Sequence, residues 1–495
     1  MTHPFVYEVH ARQWLAGMRQ RDARVLDLAR VPDEVLDHLA AIGTTHLWLM
    51  GVWETGARAR EQALQHAGLR VEYDAALPGW TDADVVGSPY AIADVRVAGD
   101  LGGDAALVAL RRRLERRAIG LVLDFVPNHL GLDHDWLRTR PELFVGQPTA
   151  FPDGFPAGDR FIAHGKDPYF PGWTDTAQLD HRRADTRAAT HDVLRAIAGR
   201  CDAVRCDMAM LVLADIFERT WAGVPIAAGA TAATAELWPD AIADIKRAHP
   251  GFGFIAEAYW GLEDRLCALG FDHAYDKQLY DLVVHGRGAE VQAHVRGIDH
   301  TRRVHFLENH DEPRIGSTVG LALHRAAAVL VLGLPGMRLV HDGQLEGARR
   351  FARIQLGRRA IEDPDAAIAE MYAVLLRAFA ASLVGRGEAR VLAPMPAAPD
   401  DDSARWFTVI EWRDPAEPER LDLVVVNLAP DRARCRVVPA VQGLAGHAWR
   451  LADRLGDEVW IREGNELASR GLYLELPAHG AQLFEITRTS SSPAR

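Results

Sequence analysis

Three carboxylates stand where a reaction could use them. Asp207, Glu257 and Asp311 each follow a short apolar run, in AVRCD, FGFIAE and RRVHFLENHD. A fourth run, IGLVLDFVPNH, carries Asp124 and closes on Asn128 and His129. Any one of these groups has an ordinary explanation, because polar residues commonly end strands and cap the helix that follows. Three acids brought to one place are different. They repel one another, and such clusters are usually kept for catalysis. The chemistry that wants them is transfer of a glycosyl group through an oxocarbenium-like transition state. One carboxylate attacks the anomeric carbon while a second, held protonated, gives its proton to the leaving oxygen. The two roles need pKa values pushed apart. Arg205 lies two residues before Asp207, so on a strand both side chains project to one face, and the guanidinium favours an ionised Asp207. Glu257 sits among apolar and aromatic residues in FIAEAYW, where desolvation raises a carboxyl's pKa and suits it to acid work.

These residues meet only if their runs are strands of one sheet. FVYEVHARQW, from Phe5, reads as a strand. Val31–Ile42 reads as a helix, with Val35, Leu36, Leu39 and Ile42 at helical spacing, and HLWLMGVW follows as a second strand. The alternation continues through helices at Ala105–Arg117, Thr186–Ala198, Pro239–Ala248, Leu262–Leu269, Leu321–Leu332 and Ala366–Ala380. About eight such units is the tally of a closed (β/α)8 TIM barrel, whose catalytic residues lie at the C-terminal ends of the strands. Leu132 to Ala184 breaks the pattern. It is rich in Pro, Gly, Asp and aromatics, and an unperiodic stretch of that length marks an excursion. From about Leu392 the texture changes to short alternating strands, WFTVIEWRD through AQLFEIT, which read as an all-β sandwich. The expected organisation is a barrel over 1–131 and 185–388, an inserted domain over 132–184 and a C-terminal β-sandwich domain over 389–495. SSSPAR is expected to be a frayed tail.

Composition narrows the partners. The chain has 495 residues, a formal net charge of −12, and 25% charged residues. An acidic chain is a poor non-specific binder of nucleic acid or of an anionic membrane, both of which need a positive field. No apolar run is long enough to span a bilayer. MTHPFVYEVHARQWL lacks the basic-then-apolar pattern of a secretion signal. The four cysteines (Cys201, Cys206, Cys267, Cys435) form no CxxC pair and read as reduced, buried thiols in the cytoplasm.

The segments DFVPNH, VRCD, IAEAYW and FLENHD resemble, in order and spacing, four sequence regions of the α-amylase family, glycoside hydrolase family 13. The resemblance runs over nearly the whole chain. It implies that Asp207 is the nucleophile, Glu257 the general acid/base and Asp311 a carboxylate gripping the sugar's 2- and 3-hydroxyls. It makes Arg205, His129 and His310 hydrogen-bonding groups of the −1 subsite, with Asp124 in support. GSPYAIADV is similar to the segment whose tyrosine stacks on that sugar, which nominates Tyr90. Leu132–Ala184 is placed like the family's domain B, and DTAQLD (Asp175–Asp180) resembles a fifth region. Trp53, Trp80, Trp136, Trp173, Trp238 and Trp260 fall near the expected cleft, where packing competes with sugar stacking for each.

The departures bear on specificity. Secreted α-amylases commonly place Lys-His three and four residues after the nucleophile; here those positions are Met210 and Leu211. Gly87 stands where α-glucosidase relatives carry an aspartate, and His341-Asp342 where aromatics are frequent. Asn128 matches a calcium-ligand asparagine, so calcium is the one ion the resemblance brings in; a turn asparagine bonding local backbone is the competing reading. The chemistry itself requires no cofactor. The resemblance implies a retaining α-glycosidase acting on α-linked glucosyl oligosaccharides or glucans. The alternatives are a transglycosylase, phosphorylase or isomerase of the same family, and a non-catalytic carbohydrate-binding or scaffold barrel.

Overall fold

A computed structural model describes residues 3–226, 235–417, 419–440 and 443–489. Eight parallel strands close into a barrel: β1 (Phe5–His10), β2 (His46–Met50), β3 (Gly120–Phe125), β4 (Ala203–Cys206), β5 (Gly253–Ala256), β6 (His273–Tyr275), β7 (Arg303–His305) and β8 (Met337–His341). Each strand pairs with its neighbours in sequence, and β8 closes on β1 with Glu8 level with His341. Alternation explains why apolar runs suit both faces. Val6, Trp48, Val122, Ile255, Tyr275, Val304 and Leu339 fill the lumen. Val9, Leu47, Leu49, Leu121, Leu123, Val204, Phe254 and Val340 face outward into the shell of helices.

That shell includes α1 (Ala11–Arg21), α2 (Asp33–Ala41), α3 (Gly103–Glu115), α4 (Ala184–Ala198), α5 (Trp238–Ala248), α6 (Glu263–Ala268), α7 (Lys277–Val284), α8 (Gly288–Gly297), α9 (Leu321–Gly333) and α10 (Ala366–Ala380). Two further helices, Ala57–Gln65 and Ala67–Ala76, fold as a hairpin after β2. Their buried residues are Ala59, Ala63, Tyr73 and Ala76. A face made mostly of alanine offers few large apolar residues at helical spacing, and the sequence does not announce this pair.

The strands are shorter than the apolar runs that code for them. RRVHFLENHD pairs only as far as His305. The rest leaves the ladder but stays buried through His310, and carries Glu308 to Asp311 over the C-terminal mouth of the barrel.

The excursion after β3 carries two small sheets. One is three-stranded, with Arg160–Ala163 between Gly146–Gln147 and Gly154–Ala157. The other pairs His129–Gly131 antiparallel with Thr176–Gln178, which ties the DTAQLD segment to the strand end bearing His129. Leu130, Leu143, Phe144, Phe155, Ile162 and Leu179 form its own core.

Beyond the barrel, a six-stranded sheet holds β9 (Glu388–Leu392), β10 (Phe407–Arg413), β11 (Arg420–Asn427), β13 (Ala448–Asp453), β14 (Val459–Glu463) and β16 (Ala481–Arg488). A second sheet pairs β12 (Ala433–Val437) with β15 (Leu472–Leu476). Between them lies a separate core that includes Phe407, Val425, Cys435, Trp449, Leu474 and Phe484. The fold is thus a (β/α)8 barrel with an inserted segment after its third strand and a C-terminal β-sandwich. The SSSPAR tail lies outside the described residues. No helix among the described residues is long and apolar enough to cross a membrane.

Candidate active site

Arg205, at the third position of β4, organises the mouth of the barrel. Its side chain is 1% exposed. Nη1 donates to Asp207 Oδ1 at 2.8 Å and lies 3.6 Å from Asp124 Oδ1. Nη2 forms an ion pair with Glu257 Oε2 at 2.8 Å, without hydrogen-bond geometry. One guanidinium therefore touches carboxylates from β3, β4 and the end of β5. Three rings wall it in, with the cation 5.4 Å from the Trp48 centroid, 5.3 Å from Tyr90 and 5.8 Å from Tyr275. A planar, permanently charged group suits this position better than lysine would.

The backbone around the carboxylates is bent to serve them. Met208, directly after Asp207, has φ +44°, a left-handed conformation that costs energy in a non-glycine residue. That turn aims its N–H at Glu257 Oε2, 2.6 Å away. Tyr259 Oη donates to the other oxygen of Glu257 at 2.8 Å. Gly51, after β2, has φ +77°, and a Cβ there would meet Pro89 at 2.8 Å. Its N–H donates to Asp124 Oδ2 at 3.2 Å.

Burial acts on every carboxyl in the same direction, and the neighbouring charges set them apart. Burial raises the Asp207 pKa above the ordinary aspartate value, opposed by the charge of and hydrogen bond from Arg205. Burial also pushes Glu257 up to about 7; Arg205 opposes it, and the charges of Asp207 and Asp311 add to it. Asp124 is pushed up to about 7 by burial against Arg205 and His310. Asp311 moves the other way. Burial acts against its ionisation, but the charge of His310 and its hydrogen bond outweigh that and hold Asp311 down to about 2. Asp311 is also the most open of the three, 42% exposed against 7% for Asp207 and 4% for Glu257. An ionised carboxylate facing an open mouth can accept hydrogen bonds from hydroxyls of an incoming ligand.

His310 links Asp311 to the site. Its Nε2 lies 3.0 Å from Asp311 Oδ2 and 2.7 Å from Tyr90 Oη, with the Tyr90 ring stacked on it at 5.6 Å. The structure thus brings together Asp207, Glu257, Asp311, Arg205, Asp124, Tyr90 and His310. His129 packs its ring on Trp173 at 5.1 Å, and its Nδ1 lies 3.3 Å from Asn128 Nδ2. Of the tryptophans, Trp53 and Trp238 are core residues, whereas Trp260 is 42% exposed beside Tyr169 at 5.1 Å. Sequence reasoning passed over Glu8, Tyr259 and Tyr275. Glu8 and Tyr275 had a signal, a polar group within an apolar barrel strand.

Asn128 does not offer a free ligand. Its amide exchanges hydrogen bonds with the Gln178 side chain, donating at 3.3 Å and accepting at 2.9 Å. Among the described residues, no group of three or more His, Cys, Asp or Glu side chains is arranged to hold a metal ion.

A scan against protein-family models finds no match, and no curated protein matches by sequence. Solved structures do match. The maltogenic α-amylase AmyB from Thermotoga neapolitana superposes with a TM-score of 0.68 at 17% identity, covering 98% of each chain. The α-amylase from Geobacillus thermoleovorans, solved with acarbose, gives 0.65 at 16% identity and 99% of each chain. The trehalose-6-phosphate hydrolase of Bacillus licheniformis gives 0.62 at 11% identity, covering 98% of this chain and 99% of that one. With barrel, insertion and C-terminal sheets matched from end to end, the chain has the fold of the α-amylase family.

Proposed function

We propose that this protein is a retaining α-glycosidase acting on α-linked glucosyl oligosaccharides or glucans by double displacement. The observation that carries the reading is the bridging of Asp207 and Glu257 by the single guanidinium of Arg205, beside an open, ionised Asp311. Asp207 attacks the anomeric carbon and forms the glycosyl-enzyme. Glu257, whose pKa burial brings up to about 7, donates in its protonated form to the departing oxygen, then removes a proton from the water that releases the sugar. Asp311 accepts hydrogen bonds from the ring hydroxyls, and the Tyr90 ring supplies an apolar platform for the sugar's C–H face. Solved relatives in fold that act on glucans, bind acarbose or hydrolyse a disaccharide phosphate support a saccharide substrate. A reducing compartment suits the four cysteines, all buried and unpaired.

The test is a substrate panel of maltose, trehalose, sucrose, isomaltose, maltodextrin and glycogen, each with and without phosphate, followed by NMR. The reading expects free reducing sugar, released as the α-anomer. Net transfer with little free sugar, or turnover that depends on phosphate, would replace hydrolysis by transglycosylation or phosphorolysis.

A further inference from the structure

Glu8 is the acid of β1, two residues after the lumen-facing Val6, and it is fully buried at 0% exposed. Its Oε1 lies 2.5 Å from His310 Nδ1 and accepts the His310 backbone N–H at 3.3 Å. Its Oε2 is buried without a hydrogen-bond partner. A carboxylate left half-satisfied in a barrel lumen is costly and calls for a reason. The strand is otherwise apolar or structural around it, and Glu8 makes no contact with Asp207 or Glu257 among the described interactions.

We propose that Glu8 is a positioning residue that acts through His310, accepting the Nδ1 proton so that the ring is fixed in rotation and Nε2 faces Asp311 and the bound sugar as a donor. This rests on the glycosidase reading above. The geometry places the protons: Nδ1–H is committed to the Glu8 carboxylate, and a second proton on Nε2 meets Asp311 Oδ2 at 3.0 Å and Tyr90 Oη at 2.7 Å. The surroundings favour that doubly protonated ring. Burial opposes it, but Asp311 and Glu8 together outweigh burial and push His310 well above its ordinary value. The groups facing the ring are Glu8 from β1, Trp48 edge-on from β2 at 5.5 Å, Tyr90 and Asp311. His10, His341, Asp124 and Asp207 act on it at longer range.

The experiment is Glu8→Gln, with Glu8→Asp as the conservative rescue. The imidazole nitrogens of His310 are followed by NMR against pH, with His310→Gln to assign the signal. In the wild type the ring should keep both protons to well above pH 6.5. In a folded Glu8→Gln protein it should titrate at lower pH, with kcat falling about 10- to 100-fold and KM changing less. Glu8→Asp should recover part of both. An unmoved His310 titration, or full activity, in folded Glu8→Gln overturns the proposal. If Glu8→Gln does not fold, the wild type decides: a midpoint at or below 6.5 overturns it. A wild type that turns over no α-glucoside, but whose His310 titration moves in Glu8→Gln, keeps Glu8's hold on the ring and brings down the glycosidase reading instead.

Discussion

At the scale of single residues, Asp207 and Glu257 share one guanidinium, and burial raises the pKa of both. In the proposed mechanism Glu257 carries a proton, and burial pushes its pKa up to about 7. The same mechanism needs Asp207 ionised, and burial raises its pKa above the ordinary aspartate value. The expected pH profile of kcat/KM is a bell. Its alkaline limb should fall near pH 7, and its acid limb should lie above that of an unperturbed aspartate. Glu257→Gln should remove the Glu257 limb together with most of the activity. The same shift is a stability statement. A carboxyl whose folded pKa exceeds its unfolded one contributes fully below the unfolded value and loses that contribution as pH rises through about 7. Glu257→Gln should therefore melt above the wild type at pH 8 by more than it does at pH 5, and an equal difference at both would contradict the burial argument. Asp207→Asn should lower turnover by about four orders of magnitude or more while leaving the melting transition in place; retained activity would remove Asp207 from the nucleophile's role.

At the scale of elements, strand ends and the helices after them hold the site in register. Asp276 shows how. It follows β6 and caps α7 through the Leu279 N–H at 3.1 Å. It also meets His294 on α8 at 2.8 Å and His305 on β7 at 3.2 Å. Burial pushes its carboxyl up, but the two histidines outweigh that and hold it below the usual carboxylate range. A depressed pKa stabilises the fold above the unfolded value of about 3.8 and stops doing so as pH falls further. Asp276→Asn should cost about 1–3 kcal/mol at pH 7 in urea unfolding, with the gap narrowing below pH 4. A gap as wide at pH 3 would show that charge is not what Asp276 contributes. Elements were legible in the sequence where they bury large apolar side chains. The strand IGLVLDF and the helix Ala366–Ala380 stand out for that reason. The hairpin over 57–76 did not, because alanines form most of its buried face. Arg205, Asp207 and Glu257 were legible as neighbours because each ends a run that had to be a barrel strand. Glu8 left a fainter signal, because one charge inside the apolar run FVYEVH also fits the ordinary alternation of a half-buried strand.

At the scale of the whole molecule, the C-terminal sheets brace the barrel. Trp412 on β10 is fully buried, and its Nε1 donates to the Gly333 carbonyl at the end of α9 at 2.9 Å. A Cβ on Gly333 would meet Val424 of β11 at 2.8 Å, so helix backbone and sheet are in direct contact. Barrel and sandwich should therefore unfold together. Trp412→Ala should cost about 3–5 kcal/mol and shift one cooperative transition to lower denaturant; two separate transitions in the wild type would contradict the bracing. In the proposed mechanism this fold, carrying Asp207 and Glu257 on one guanidinium, works through a covalent glycosyl-enzyme. The most direct test is a fluorinated α-glucosyl fluoride whose intermediate is released slowly, with the labelled protein mapped by mass spectrometry. One added fluoroglycosyl unit is expected, on the peptide containing Asp207. No adduct in an enzyme that consumes the reagent, or an adduct on another residue, would contradict it.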